Sequence, residues 1–569
     1  MEMEKKNLAI VILTIILLVS GTGNIILGII GVSGKTPQAK NVLRAAGTDP
    51  YVIDPVDSWD SASNIIISHI CENLWDYDLY DPNFPLEMEL ATNFTWNSGL
   101  DELTVILRED VYFHDGSHFN ANAVQFTFDR ILYFINASGT LDPASHPAAP
   151  ASLFYDITGN SILNKTVVNS EYNITFILNK PYGVFVPLLS YEACAILHPA
   201  TTPATTYLEL GVDKLVGTGP FKYIRYKPGE ELKAERWSLY WGPNTFWDEI
   251  LWIIHPNPIT ANYAMLGKEI DYLGGCIPSL IPLFQADPEM VFANLNTSTS
   301  YSYWGLNNKK INNTNIRKAI AYAYNYSYFI DVIMLGYVIR AHQFLPPGFP
   351  YYNESFRAPY YNTSIAREAM ILAFPTETAG VTAQAYGVDA GNDAAWSALS
   401  LVSYKVVEII DYPVSNLMAT ALIIDLDRIG ITIIPDLMTL DEFYDVILND
   451  IDRLNIWNAG WSPDYLDPFN MVEPLLNNMS TANEIQVQDA QIMQWLKDYE
   501  ETDPVNTDQR EILLWKIQQR AINVLHVELP LVCRKSYYVH HQSLGNVCYN
   551  ILRKSWFRDT YFVPGVPRA

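Results

Sequence analysis

The sequence predicts an α/β protein with two lobes, standing behind an apolar N-terminal segment. Three observations point there. The chain has 569 residues, 49% of them hydrophobic, and a single core rarely grows beyond about 250–300 residues. Short strand-like runs alternate with helical stretches, the pattern of sheets covered by helices. No charged residue falls between Lys6 and Lys35, a run long enough for a helix to cross the hydrocarbon of a bilayer.

In chain order, Lys5 and Lys6 precede the apolar run, so the positive-inside tendency places the rest of the chain outside the cytoplasm. Two readings stay open for this segment. It is a transmembrane anchor, or it is a cleaved signal peptide, since the run Leu8 to Val19 is short and the small residues Ser20 and Gly21 follow. Gly31 to Lys40 reads as a polar linker, and the first strand is expected near Val42. Leu103 to Arg108 and Tyr172 to Leu178 read as further strands. Ile316, Ile320, Ala323, Ile330 and Met334 recur at helical spacing, predicting one helix from Ile316 to Met334. Asn313 or Asn315 would cap it and Gly336 would end it. Pro375 to Ala395, rich in Ala, Gly and Thr, reads as a surface insertion.

Composition excludes several roles. A formal net charge of −26 and a pI near 4.7 repel phosphate backbones, so nucleic acid is not an expected partner. Cys71, Cys194, Cys276, Cys533 and Cys548 are too scattered for a disulfide scaffold, and none forms a C-x-x-C pair. Cys533 and Cys548 either pair in an oxidising exterior or remain two buried thiols. Sequons recur from Asn93 to Asn478, as in a glycosylated cell-surface protein or by chance in an Asn-rich chain. Asn325 falls inside the predicted helix, which disfavours its modification. His114, Asp115 and His118 suggest metal ligands, but Asp115-Gly116 makes a tight turn and no Glu or Cys completes a zinc set. Gly217 and Gly219 precede Pro220 and an apparent strand, whereas a phosphate loop would open a helix. His540-His541 reads as part of a strand. With no G-x-S-x-G or H-E-x-x-H, nothing nominates a nucleophile, a metal or a cofactor, and no enzyme is expected.

Five strings carry a resemblance, and they occur in one order. They are VLRAAGTDPYVIDPVDSWDSASNIIISHICENLWDYD from Val42, LREDVYFHDGSHFNANAVQFTFDR from Leu107, and VGTGPFKYIRYKPGEELKAERWSLYWG from Val216. YWGLNNKKINNTNIRKAIAYAYNYSYFIDVIMLGY from Tyr303 and NAGWSPDYLDPFN from Asn458 complete the set. Together they resemble the extracytoplasmic solute-binding protein family 5, which contains the dipeptide- and oligopeptide-binding proteins of ABC importers. The resemblance implies a two-lobed periplasmic-binding-protein-like fold of type II, cluster C. Lobe one would comprise about 41–302, with an extra subdomain at about 75–200, and the C-terminal segment 527–569. Lobe two would be about 303–526, behind an N-terminal anchor and linker at 1–40. Two chain crossings would form a hinge, and a ligand touching both lobes would favour the closed form.

The resemblance also implies a site. In peptide-binding members the position of Asp464 pairs with the ligand's α-ammonium, a charge-assisted bond strengthened when water is excluded. A loop-capping role is the alternative for Asp464. Trp461 would be a flat wall or a core residue, Tyr465 a neighbour in the site, and Asp467-Pro468 a turn. Ser58, Trp59, Asp60 and Ser61 would sit in the opposing cleft loop, with Trp304 also facing the ligand. Dipeptide-binding relatives clamp the ligand carboxylate with an Arg, yet Glu408 to Thr420 contains no basic residue. A longer peptide or a cationic solute fits that loss better. Arg340 and His342 would stand in for the clamp or lie on a solvated loop. The expected partners are a small peptide or similar solute, ABC permease subunits and the membrane through the N-terminal helix, with the protein itself a monomer. A family-typical lipid anchor lacks its Cys. A surface receptor without transport is the alternative from another class, followed by an extracytoplasmic hydrolase or a surface-layer component.

Overall fold

Alternate burial drives the first strand. In Val42–Gly47, Leu43 and Ala45 are fully buried while their neighbours are half-exposed, the period of a strand with one face on a core. It pairs in parallel with Glu249–Ile254 inside a seven-stranded sheet. The sheet's order is Met290–Leu295, Ser536–His541, Tyr272–Leu273, Val42–Gly47, Glu249–Ile254, Glu231–Arg236 and Phe221–Lys227. The computed structural model describes residues 40–140, 153–295, 297–382, 392–410, 412–550, 552 and 554–567. The apolar N-terminal segment therefore lies outside the described residues, as does part of the expected insertion at 375–395. Among the described residues no helix is long and apolar enough to cross a membrane.

The loop before Phe221–Lys227 runs against the end of the helix Ser61–Ile70. A Cβ on Gly217 would stand 2.2 Å from the Ile70 carbonyl oxygen, so only glycine allows this approach. Beyond that helix, a four-stranded antiparallel sheet (Ala91–Trp96, Glu102–Leu107, Asn173–Leu178, Leu163–Ser170) is covered by the helix Ala121–Phe134 and forms the subdomain. His114 bonds the Gly219 carbonyl at 2.9 Å and Asp115 accepts from Ser117, so both serve the turn, while the His118 ring meets the Phe119 carbonyl at 3.2 Å.

The second lobe is built on a six-stranded sheet in the order Val338–Arg340, Glu528–Arg534, Tyr301–Leu306, Ile456–Trp461, Val402–Ile409, Ile431–Met438. The strand Glu528–Arg534 thus belongs here, and the expected return to lobe one at 527 moves to Lys535. The reason is its pairing on both sides, with Tyr301–Leu306 and with Val338–Arg340. Two adjacent crossings join the lobes, one after Leu295 and one at Lys535. They are bonded side by side: the Ser298 hydroxyl donates to the Arg534 carbonyl at 2.8 Å, and the Arg534 amide donates to the Ser300 carbonyl at 3.3 Å.

The helix expected over 316–334 is broken. Asn313 caps Thr314–Ala323, Tyr324 then turns extended, and Asn325 caps a separate turn from Tyr326. Tertiary contacts override the local periodicity there: Tyr324 packs on Trp304, and the Asn325 amide donates to Asp425 at 2.8 Å. On the sheet's other face, Tyr301, Tyr303, Trp457, Tyr465, Phe469 and Tyr499 merge into one apolar cluster with the subdomain's Trp75, Phe128, Phe176 and Phe185. Lys180 of the subdomain meets Glu500 at 2.5 Å across that seam. All five cysteines are unpaired. Cys533 sits in the second-lobe sheet while Cys548 bonds the Leu79 carbonyl, so the buried-thiol reading is the one realised.

Candidate functional site

In open α/β sheets, ligands bind outside the carboxyl ends of parallel strands. Val402–Ile409 runs parallel to Ile431–Met438 and to Ile456–Trp461, so Ile410 and Tyr412, the start of the helix Leu440–Asn449 and the loop 462–468 emerge at one end of the second lobe. In the first lobe, parallel Val42–Gly47 delivers the loop 48–60. These loops face each other. The Tyr51 phenol is raised by burial and then by the charges of Asp441 and Asp60, and Tyr444 is raised by burial and by Tyr51, Tyr412, Glu484 and Asp60. No sequence motif marks Tyr51, Tyr412, Tyr444, Asp441 and Glu484, which the fold brings within electrostatic reach of one another. All but Glu484 follow shortly after the end of a strand.

The loop after Ile456–Trp461 is tied to the start of the helix Phe469–Leu476. The Trp461 ring N–H donates to the Asn470 carbonyl at 2.8 Å. The Asp464 amide donates to Asn470 Oδ1 at 2.7 Å, and Asn470 Nδ2 returns a bond to Asp464 Oδ2 at 3.1 Å. Burial pushes the half-buried Asp464 carboxyl up to about 7, and the charge of Glu192 adds to that. It is a carboxylate short of a positive partner. Asp467 is fully used within the lobe, accepting from the Phe469 amide (2.9 Å), the Tyr499 hydroxyl (3.1 Å) and Arg510 (2.9 Å). It therefore shapes the turn with Pro468. Tyr465 is buried beside it, and the Leu466 amide receives no charge partner but donates to the subdomain's Tyr77 hydroxyl at 3.0 Å.

The opposing loop is built differently. Asp54 is 0% exposed, paired with Arg130 and accepting from the Leu208 amide at 2.7 Å. Asp60 caps the helix Ser61–Ile70, accepting from the Ser63 amide at 2.8 Å and from its hydroxyl. Ser58 is buried, its carbonyl accepting from the Tyr191 hydroxyl. Trp59 is half-exposed with its ring N–H buried and unpartnered by protein, and Ser61 is exposed at the helix start.

Two expectations need correction. Trp304, expected in the site, is 1% exposed and packs on Tyr324 on the helix-covered face of the sheet, whereas its neighbour Tyr303 points to the inner face. Side chains alternate along a strand, so one residue decides the face. Arg340 is neither a clamp nor solvated: its guanidinium lies over Tyr326 at 3.7 Å and donates to the Leu531 and Pro359 carbonyls, both at 3.0 Å. Burial and the nearby Arg340 and Arg357 hold His342 down to about 4, so it is neutral at pH 7.

Comparison with known proteins bears on this arrangement. A family model described as "Bacterial extracellular solute-binding proteins, family 5 Middle" matches residues 86–483. The chain is 28% identical over 338 residues to the glutathione-binding protein GsiB of Escherichia coli O6:K15:H31 (strain 536), covering 58% of this chain and 61% of that one. It thus spans about three fifths of the length of the curated relatives it matches. Among solved structures, the periplasmic binding protein DppA of Helicobacter pylori in complex with peptide STSA superposes with a TM-score of 0.77 at 21% identity, covering 92% of this chain and 98% of its own. The oligopeptide-binding protein AppA of Bacillus subtilis in complex with a nonapeptide gives 0.74 at 17%, covering 92% and 99%.

Proposed function

The chain belongs to the bacterial extracellular solute-binding proteins of family 5, and from that premise we propose that it captures a small peptide or similar solute between its lobes and hands it to the permease of an ABC importer. The observation that carries this reading is the meeting of two sets of strand-end loops beside a double crossing. A ligand touching both sets stabilises the closed arrangement by its differential affinity for it. Asp464 is the ammonium partner, with Trp461 and Trp59 as apolar walls. Tyr465 supports the loop, and Asp60 and Ser61 present the start of their helix to the ligand. Binding without turnover is the role, carried out by a monomer outside the cytoplasm. The apolar run before Lys35 either keeps the protein at the membrane or is removed after export.

The relatives' ligands, a tetrapeptide and a nonapeptide, support peptides as the class to test first. Native mass spectrometry of the purified protein should detect a bound small molecule. Adding that material back at about a hundred times its Kd should stabilise the fold by ~2.7 kcal/mol. A protein that purifies empty and whose unfolding does not respond to saturating peptide pools would sink this reading.

A further inference from the structure

The strand-end segments that meet between the lobes, 48–60, Ile410 and Tyr412, the helix start 439–444, and 462–468, contain no lysine, arginine or histidine among their described residues, and eight of those residues are Asp or Glu. Three arginines enter from neighbouring elements, and each is already neutralised. Arg130 is held by Asp54 at 2.7 Å, Arg453 by Glu442 at 2.9 Å and Arg510 by Asp467 at 2.9 Å. Arg340 is committed to backbone carbonyls, and His342 carries no charge at pH 7. Among the described residues, Asp60, Asp441, Asp464 and Glu484 form no ion pair. Glu528, 1% exposed on the inner face beside Tyr301, has no protein partner for its second oxygen. The exposed rings of Tyr51, Tyr412 and Tyr444 offer π faces, which attract cations.

We infer that this cleft takes solutes of net positive charge and grips the cationic end alone, leaving the carboxylate of a peptide unread. The inference rests on the binding role proposed above and specifies which ligands that role selects. A peptide's α-carboxylate entering this site meets, among the described residues of these segments, no free cation and several carboxyl groups without an ion-pair partner, so it stays toward solvent or is better absent. Ligand length is then not measured end to end, because a fixed length needs a cation at each register where the carboxylate stops.

Calorimetry on the full protein with four probes tests this: Lys-Ala-Ala-Lys as the free acid, its C-terminal amide, its N-acetyl form, and Glu-Ala-Ala-Glu. The amide should bind within threefold of the acid or more tightly. N-acetylation should cost at least tenfold, and the acidic peptide should be weaker than the basic one by at least a hundredfold. In Asp464→Asn the penalty for acetylation should shrink to less than threefold, a change that loss of folding would not mimic, since the amide still binds. A tenfold loss on amidation, or equal binding of the acidic peptide, overturns the inference and leaves the binding role standing. No binding by any of the four, together with no peptide mass on the purified protein, overturns both.

Discussion

Two carboxylates in the loops that face each other between the lobes, Asp54 and Asp464, are opposite in chemistry. In 48–60, Asp54 is locked to Arg130 and Asp60 caps a helix, so those carboxylates hold the first lobe together. In 462–468, Asp464 has only the neutral Asn470 for company, and burial raises its pKa toward neutrality. Acid content therefore does not mark a recognition residue. What sets Asp464 apart from Asp54 and Asp60, and makes it the one proposed to meet a ligand, is burial without a cation or a helix to cap.

The sharpest way to break that contrast is at its structural pole. Arg130→Met leaves Asp54 buried without its partner and should lower stability by ~3–5 kcal/mol in denaturant titration. The fraction that stays folded should bind its ligand unchanged. At the recognition pole, Asp464→Ala should weaken an ammonium ligand by ~1.5–3 kcal/mol in calorimetry while leaving the melting temperature level or higher; unchanged affinity would remove the residue from the site. Asp60→Ala tests the boundary between the two. Loss of an N-cap should cost ~1 kcal/mol of stability with little effect on binding, and a tenfold loss of affinity would make both loops readers.

The smallest effect is in pH. Glu528, raised to about 8, and Asp464, Glu72, Glu473 and Glu484, raised to about 7, all hold protons more firmly folded than unfolded. Their contribution is present at low pH and is lost as pH rises through 7–8. The ligand-free protein should therefore melt a few degrees higher at pH 6.5 than at pH 8.5. Below 6.5, His69, His114, His342 and His526, held down to about 4 by desolvation, oppose any further gain. Affinity for an ammonium should run the other way, increasing from pH 6 to 8 as Asp464 ionises. Parallel trends in stability and affinity would contradict the assignment.

Much of this was legible before any coordinates. The first strand and the turn at Asp115 followed from local patterns, and the two-lobed fold from the resemblance carried by the five ordered strings. What escaped had non-local causes. Trp304, which the resemblance would place at the ligand, turns the other way, because a strand's period tells which residues share a face but not which face is inward. The break at Tyr324 depends on Asp425, one hundred residues away. The boundary at Lys535 depends on a strand accepting partners on both edges. Tyr51, Tyr412 and Tyr444 converge only once the parallel strands are aligned.

Because the segments linking the lobes are bonded to each other, they behave as a single narrow strap. Such a strap resists sliding but yields to twist, so the gap's width is governed by one angle. Lengthening only one of the two links by a residue would tilt that axis and misalign the jaws even with every binding side chain intact.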